Sequence, residues 1–252
     1  MTNQIISGPP QGAPKVDPED RVGMLLAHAD DNMVLAQRLG EWISRAPELE
    51  IDIALGNMAL DHLGVARALY THAGDVEGKG RAEDDFAMFR SEREFTNLLL
   101  VEQPNGDFAR TIIRQFFVDT YQILLWEKLA SSEDATLAGI AAKALKEARY
   151  HHRFSSGWVV RLGDGTAESR GRAQLAVDEL WRFTAELFEG PTAIDRDQWD
   201  RGVRDVFVEA TLEIPDDPYQ RTGGRNGFHT SHLGYLLAEM QWMQRSYPGL
   251  EW

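Results

Sequence analysis

Four long segments carry apolar residues at three- and four-residue steps, no Val/Ile/Thr-rich run alternates with period two, and one long connection separates the second segment from the third. Together these observations predict an all-α fold built on a four-helix bundle. The first helix starts after Pro18, with Val22, Leu25, Leu26, Ala29, Met33, Ala36, Leu39 and Ile43 on its stripe, and stops at Pro47. The second runs from Ile51 through Leu55, Met58, Val65 and Leu69 and closes near Gly74. Residues 74–85 are polar and glycine-rich and read as a loop. A shorter helix is expected over Phe86–Val101, up to the turn signal Pro104-Asn105-Gly106. The third long helix begins near Asp107 and carries Phe108, Ile112, Phe116, Ile123 and Trp126. The fourth follows the N-cap cluster Ser131-Ser132-Glu133-Asp134 and ends at Gly163-Asp164-Gly165. Three additional C-terminal helices are expected near Ala173–Glu189, Asp197–Glu213 and Thr230–Ser246.

Composition excludes several classes. The 252 residues sum to a net charge of −14, a field that repels phosphate backbones and anionic lipid, so neither nucleic acid nor membrane is an expected partner. With 43% hydrophobic residues the body of the chain can build a core. There is no cysteine, hence no disulfide scaffold, thiolate zinc site, iron–sulfur cluster or thiol nucleophile. No apolar run approaches the roughly 20 residues of a membrane span, and no secretory signal is visible, so a cytoplasmic location is expected. Residues 1–17, rich in Pro and Gly, read as a flexible tail, and 18–252 as a single helical domain.

Each long helix places an acid on its apolar stripe. Asp61 lies between Met58 and Val65, Asp119 between Phe116 and Ile123, Glu147 three residues after Ala144, and Asp31 on a face with Met24, Val34 and Leu35. The spacing echoes, 30 residues from Asp31 to Asp61 and 28 from Asp119 to Glu147. Acids on such faces need a reason. In a ferritin-like bundle the reason is a di-iron site, which takes a carboxylate from each of two helices and Glu-x-x-His from the other two. No Glu-x-x-His or Asp-x-x-His occurs here: Gly64 and Tyr150 stand three residues after Asp61 and Glu147. The pattern therefore predicts a degenerate di-iron site holding no metal, its acids paired with His28, Arg149 and His151 at helical spacing. The competing reading is a stand-alone carboxylate-metal oxidase that binds a hard cation through Asp31, Asp61, Asp119 and Glu147.

Of the remaining motifs, the loop Arg221-Thr-Gly-Gly-Arg225-Asn-Gly227 is basic and glycine-rich but lacks the Lys-Ser/Thr ending of a phosphate-binding loop. Arg221, Gly223, Gly224 and Arg225 are expected in an ordered loop facing a partner or the core. His229 and His232 lie near a helix start, where capping is the commoner role. There is no Gly-x-Ser-x-Gly elbow and no dinucleotide fingerprint.

Several longer strings, Gln37–Trp42, Ala46–Asp52, Asn97–Gly106, Lys146–His151, Leu180–Phe188 and Tyr219–Gly224 through Thr230, resemble the non-catalytic C subunits of bacterial phenylacetyl-CoA epoxidases over about residues 20–252. The resemblance implies a structural subunit that pairs with a homologous catalytic subunit carrying the di-iron centre, within a complex that inserts one oxygen atom of dioxygen into the ring of phenylacetyl-CoA. Electrons would come from a separate reductase with NADPH, flavin and an iron–sulfur cluster. It further implies that this chain has no cofactor of its own and meets phenylacetyl-CoA only through the complex. Asp31, Asp61, Asp119 and Glu147 match vestigial ligand positions, and Glu94, Phe95, Thr96 and Asn97 match a segment near the CoA-ester pocket.

Overall fold

The computed structural model describes residues 21–216 and 219–250; the expected tail over 1–17 lies outside them. Among the described residues the secondary structure is entirely helical. The four long helices are α1 (Arg21–Gly40), α2 (Leu49–Glu77), α5 (Phe108–Leu129) and α6 (Ala135–Gly163); the short α3 (Glu83–Ala87) and α4 (Leu99–Glu102) lie in the crossover between α2 and α5. Helix α1 pairs with α2, α5 pairs with α6, and α2 closes against α6. Outside this bundle, α7 (Ala167–Leu180) and α8 (Arg196–Ala210) cover α5 and α6, while α9 (Ser231–Ser246) lies against α1 and the crossover.

Local chemistry explains the bounds. Asp107 accepts from the Arg110 N–H at 2.9 Å and Asp134 from the Thr136 and Leu137 N–H groups, so each satisfies donors that a helix start leaves orphaned. Gly78, with φ at +66°, returns its N–H to Gly74 O and ends α2 in the left-handed region that glycine enters without strain. An apolar cluster runs from Leu25 and Leu55 through Phe116, Phe117 and Trp126 to Trp199, Phe207 and Leu236, and joins the bundle to the C-terminal helices.

Three expectations need correction. Helix α1 stops at Gly40, and residues 41–45 turn back on themselves. The sixth expected helix is α7 (Ala167–Leu180) followed by two 3-10 turns, because Thr166 caps a helix that starts at Ala167, six residues ahead of the expected Ala173. The largest difference is Phe86–Val101, which is not a helix. Only the short α3 and α4 and one 3-10 turn (Glu92–Glu94) are wound, and Phe95–Leu98 is extended. The apolar pattern there reports burial, since Phe86, Phe95, Leu98 and Leu100 are all inaccessible. Its backbone is satisfied from outside. Asp30 takes the Thr96 N–H at 2.8 Å, Asp31 the Leu98 N–H at 2.8 Å, and Glu186 the Leu99 N–H at 2.6 Å. Partners that lie so far away in sequence remove the need for helical hydrogen bonds.

Candidate functional site

The middle of the four-helix bundle is polar. Asn32 from α1, His62 from α2, Gln115, Asp119 and Gln122 from α5, and His151 and Ser155 from α6 are all buried there. Asn32 Oδ1 accepts from His62 Nδ1 at 2.9 Å and from Gln122 Nε2 at 3.2 Å. Gln115 Nε2 donates to Asp119 Oδ1 at 2.6 Å and lies 3.4 Å from His62 Nε2. Ser155 Oγ donates to Asp119 Oδ2 at 2.7 Å. The His62 and His151 rings are 5.0 Å apart, and one donor atom each of His62, Asp119 and His151 falls within 4.8 Å of the other two.

This interior is kept neutral. Burial pushes the Asp119 carboxyl up to about 8 against the pull of Ser155 and Gln115, so it holds its proton at neutral pH. Burial, then the charge of His151, drives His62 well below the ordinary imidazole value. His151 is lowered too, burial outweighing the nearby Asp61 and Glu147.

The four sequence-predicted acids do not all meet: Asp61, Asp119 and Glu147 lie around His151, whereas Asp31 lies apart. Asp119 is the one inside the bundle. Asp31 is buried but turns toward the C-terminal loop, where Arg225 holds both of its oxygens, at 3.0 and 2.7 Å. Asp61 sits at the edge of the α2–α6 seam with its side chain 38% exposed, and accepts from His151 Nε2 at 3.0 Å. Glu147 is partly buried: one oxygen meets the exposed Lys143 at 3.1 Å, and Oε2 is buried without a hydrogen-bond partner. Gly64 and Tyr150, at the vestigial histidine positions, are both exposed. Two of the expected basic partners are near an acid: His151 on Asp61, and His28, whose Nδ1 is 3.9 Å from Asp31 while its Nε2 meets Thr192 at 3.0 Å. Arg149 is not. It points to solvent and pairs with Glu127 at 2.8 Å, because its position on α6 faces outward. One carboxyl group and two imidazoles in the bundle interior are too few for two irons, which call for four carboxylates and two histidines.

A second buried polar cluster lies where the crossover meets the C-terminal loop. Asp30 pairs with Arg90 and accepts from Tyr70 at 2.6 Å. Arg225, 3% exposed, also donates to Ala27 O and Thr96 O. Glu186 accepts from the Gly223, Gly224 and Leu99 N–H groups at 2.8, 2.7 and 2.6 Å, and burial still pushes it up to about 7. Glu102 accepts from the Thr230 N–H at 2.6 Å and from His229 Nδ1 at 2.8 Å. Burial opposes the His229 cation, but Glu102 and Phe95 O outweigh it and raise the imidazole.

The glycine-rich loop belongs to this cluster: Arg221 is exposed, while Gly224 and Arg225 turn into the protein, on the core-facing side of the two expected orientations. A Cβ on Gly224 would stand 2.2 Å from Asn97 O, which explains why the close approach takes glycine. Of the expected ester-proximal segment, Phe95 and Asn97 are buried, Thr96 is partly covered, and Glu94 is exposed with its carboxylate on Ser91 at 2.7 Å.

Sequence reasoning passed over His62, Asn32, Gln115 and Ser155. The signal for His62 was present, since it is four residues after Met58 and three before Val65 on the same stripe.

No helix among the described residues is long and apolar enough to cross a membrane. A family described as "Phenylacetic acid catabolic protein" matches residues 7–252. Among curated proteins, the C subunit of the 1,2-phenylacetyl-CoA epoxidase of Escherichia coli (strain K12) is 51% identical over 237 residues, covering 88% of this chain and 95% of the relative.

Proposed function

Because the chain belongs to the phenylacetic acid catabolic protein family, we propose that it is the non-catalytic structural subunit of a phenylacetyl-CoA epoxidase, a cytoplasmic monooxygenase complex of aerobic phenylacetate breakdown. The epoxidation chemistry belongs to a homologous partner subunit that carries two irons, supplied with electrons by a reductase using NADPH, flavin and an iron–sulfur cluster. The observation that carries this reading is the dispersal of the four acids. Asp31 is tied to Arg225, Asp61 is partly exposed on the α2–α6 seam, Glu147 is partly buried beside Lys143, and Asp119 alone is fully enclosed in the bundle, flanked by side chains that hydrogen-bond it. The same dispersal opposes a stand-alone oxidase built on those acids. Residues Ile53, Leu60 and Leu63, exposed along α2, add apolar surface of the kind a subunit interface covers.

The experiment is reconstitution. The purified chain, given reductase, NADPH, dioxygen and phenylacetyl-CoA, is expected to show no epoxide formation. Adding the di-iron partner is expected to yield a stable complex and turnover. Epoxidation by this chain without a partner would overturn the assignment, as would full activity of the partner without this chain.

A further inference from the structure

We propose that the bundle interior of this chain is a binding site for one divalent transition-metal ion, zinc by chemical preference, held by His62, His151 and Asp119. Such a site differs from a di-iron centre in ion number, ligands and chemistry. It joins α2, α5 and α6 and needs none of Asp31, Glu147, Gly64 or Tyr150.

The case rests on how the two histidines are held. A ligating imidazole binds through one nitrogen while its other ring N–H donates to a carbonyl or carboxylate, which fixes the tautomer. Both rings meet that requirement here. His62 Nδ1 donates to Asn32 Oδ1 at 2.9 Å, which leaves the lone pair on Nε2 facing the long 3.4 Å contact to Gln115. His151 Nε2 donates to Asp61 Oδ2 at 3.0 Å, which leaves the lone pair on Nδ1. That Nδ1 is fully buried and has no hydrogen-bond partner, and the same is true of Gln115 Oε1. A polar atom shut away from water without a partner carries a desolvation penalty that an ion would relieve.

The third ligand is equally well supported. Asp119 is anchored by Gln115 Nε2 on one oxygen and Ser155 Oγ on the other, and once the ion displaces its proton to solvent each oxygen keeps a further lone pair. Ligand atoms of the three residues already lie within 4.8 Å of one another. Tetrahedral donors about 2.0–2.1 Å from zinc stand roughly 3.3 Å apart, so no pair has to contract by more than about 1.5 Å. Gln115 Oε1 or a water completes the fourth position. Two imidazoles and one carboxylate favour zinc, iron(II) or cobalt(II) over magnesium and calcium, which take oxygen.

The test uses the full chain, freed of metal with a chelator and titrated with cobalt(II) and then zinc. One cobalt ion per chain is expected, with visible d–d bands that zinc abolishes. His62→Gln and His151→Gln are each expected to remove the bands, Asp61→Asn to weaken binding by about 10- to 100-fold through the loosened His151 ring, and His232→Gln to leave it unchanged. Circular dichroism checks that each variant folds. Should a histidine variant fail to fold, X-ray absorption on the zinc-loaded wild-type chain counts the imidazoles, and two are expected. Absence of stoichiometric binding would overturn the site, as would bands that survive both histidine replacements or a zinc shell with fewer than two imidazoles. None of those results would touch the subunit assignment, which reconstitution tests separately.

Discussion

Two buried polar clusters lie on different faces of α1, and they solve the cost of burial in opposite ways. At the junction of crossover and C-terminal loop, acids meet arginines and free backbone N–H groups: Asp31 with Arg225, Asp30 with Arg90, Glu186 with three amides. In the bundle interior the one acid, Asp119, has Gln115 and Ser155 as partners and keeps its proton. Backbone accounts for the contrast. Helical N–H groups are spent within the helix, so a carboxylate between four regular helices is served only by side chains, whereas irregular chain offers amides to any acid that reaches it.

Breaking the charged junction is expected to cost most. Arg225→Leu removes the buried counterion of Asp31, which keeps only the Leu98 N–H from outside its own helix, and takes the guanidinium donor away from Thr96 O. A loss of about 3–5 kcal/mol in urea unfolding follows from an unpaired buried charge. Loss below 1 kcal/mol would mean that the junction is not held by this pair. Next comes the close approach of the loop: Gly224→Ala drives a methyl group into Asn97 O and is expected to cost about 1–3 kcal/mol, read from the same unfolding curve.

The neutral interior is sharpened by pH rather than by a large loss. Asp119 has a folded value near 8 and an unfolded value near the ordinary 3.8, so between these the native state holds a proton that the unfolded state has released. Its share of stability is therefore complete below about pH 4 and is lost as pH rises toward 8. In the presence of chelator, Asp119→Asn should flatten that decline while costing no more than about 1.5 kcal/mol at pH 7, since Ser155 can turn its hydroxyl and the Gln115 amide can flip to suit the new amide. An unchanged pH slope in the variant would show that Asp119 ionises in the fold. The smallest effect belongs to the Glu147–Lys143 pair. Glu147→Gln loses an ion pair with a lysine that is 70% exposed, and a change within about 1 kcal/mol is expected by thermal or urea unfolding.

The four long helices were legible because capping and periodicity agree there. Asp107 and Asp134 cap where the sequence places them, and Gly74 lies within one turn of the observed end of α2. The crossover was not legible, since what holds Phe95–Leu98 extended comes from Asp30, Asp31 and Glu186, and no local pattern reports partners that distant. The interior was legible to within one residue. Both Asp61 and His62 stand three or four residues from Met58 and Val65, and the helix turns His62 inward; on α1 it likewise buries Asn32 in the bundle while Asp31 faces the loop. One residue is about 100° of rotation. The 30-residue echo found for Asp31 and Asp61 therefore reappears as the Asn32–His62 hydrogen bond.

The Arg225–Asp31 bond spans 194 residues, and that separation has a consequence during synthesis. At about 5–20 residues per second, a ribosome delivers Arg225 roughly 10–40 s after Asp31. Through that interval the emerging α1 carries a carboxylate whose final counterion does not yet exist, and the crossover amides have only part of their acceptors, because Glu186 also arrives late. The amino-terminal half can gather its apolar faces, but it cannot dry out this corner. Completion of the junction thus falls to the last stretch of chain to be made, and a nascent protein halted before residue 225 retains an open, hydrated seam that chaperones and proteases can distinguish from a finished one.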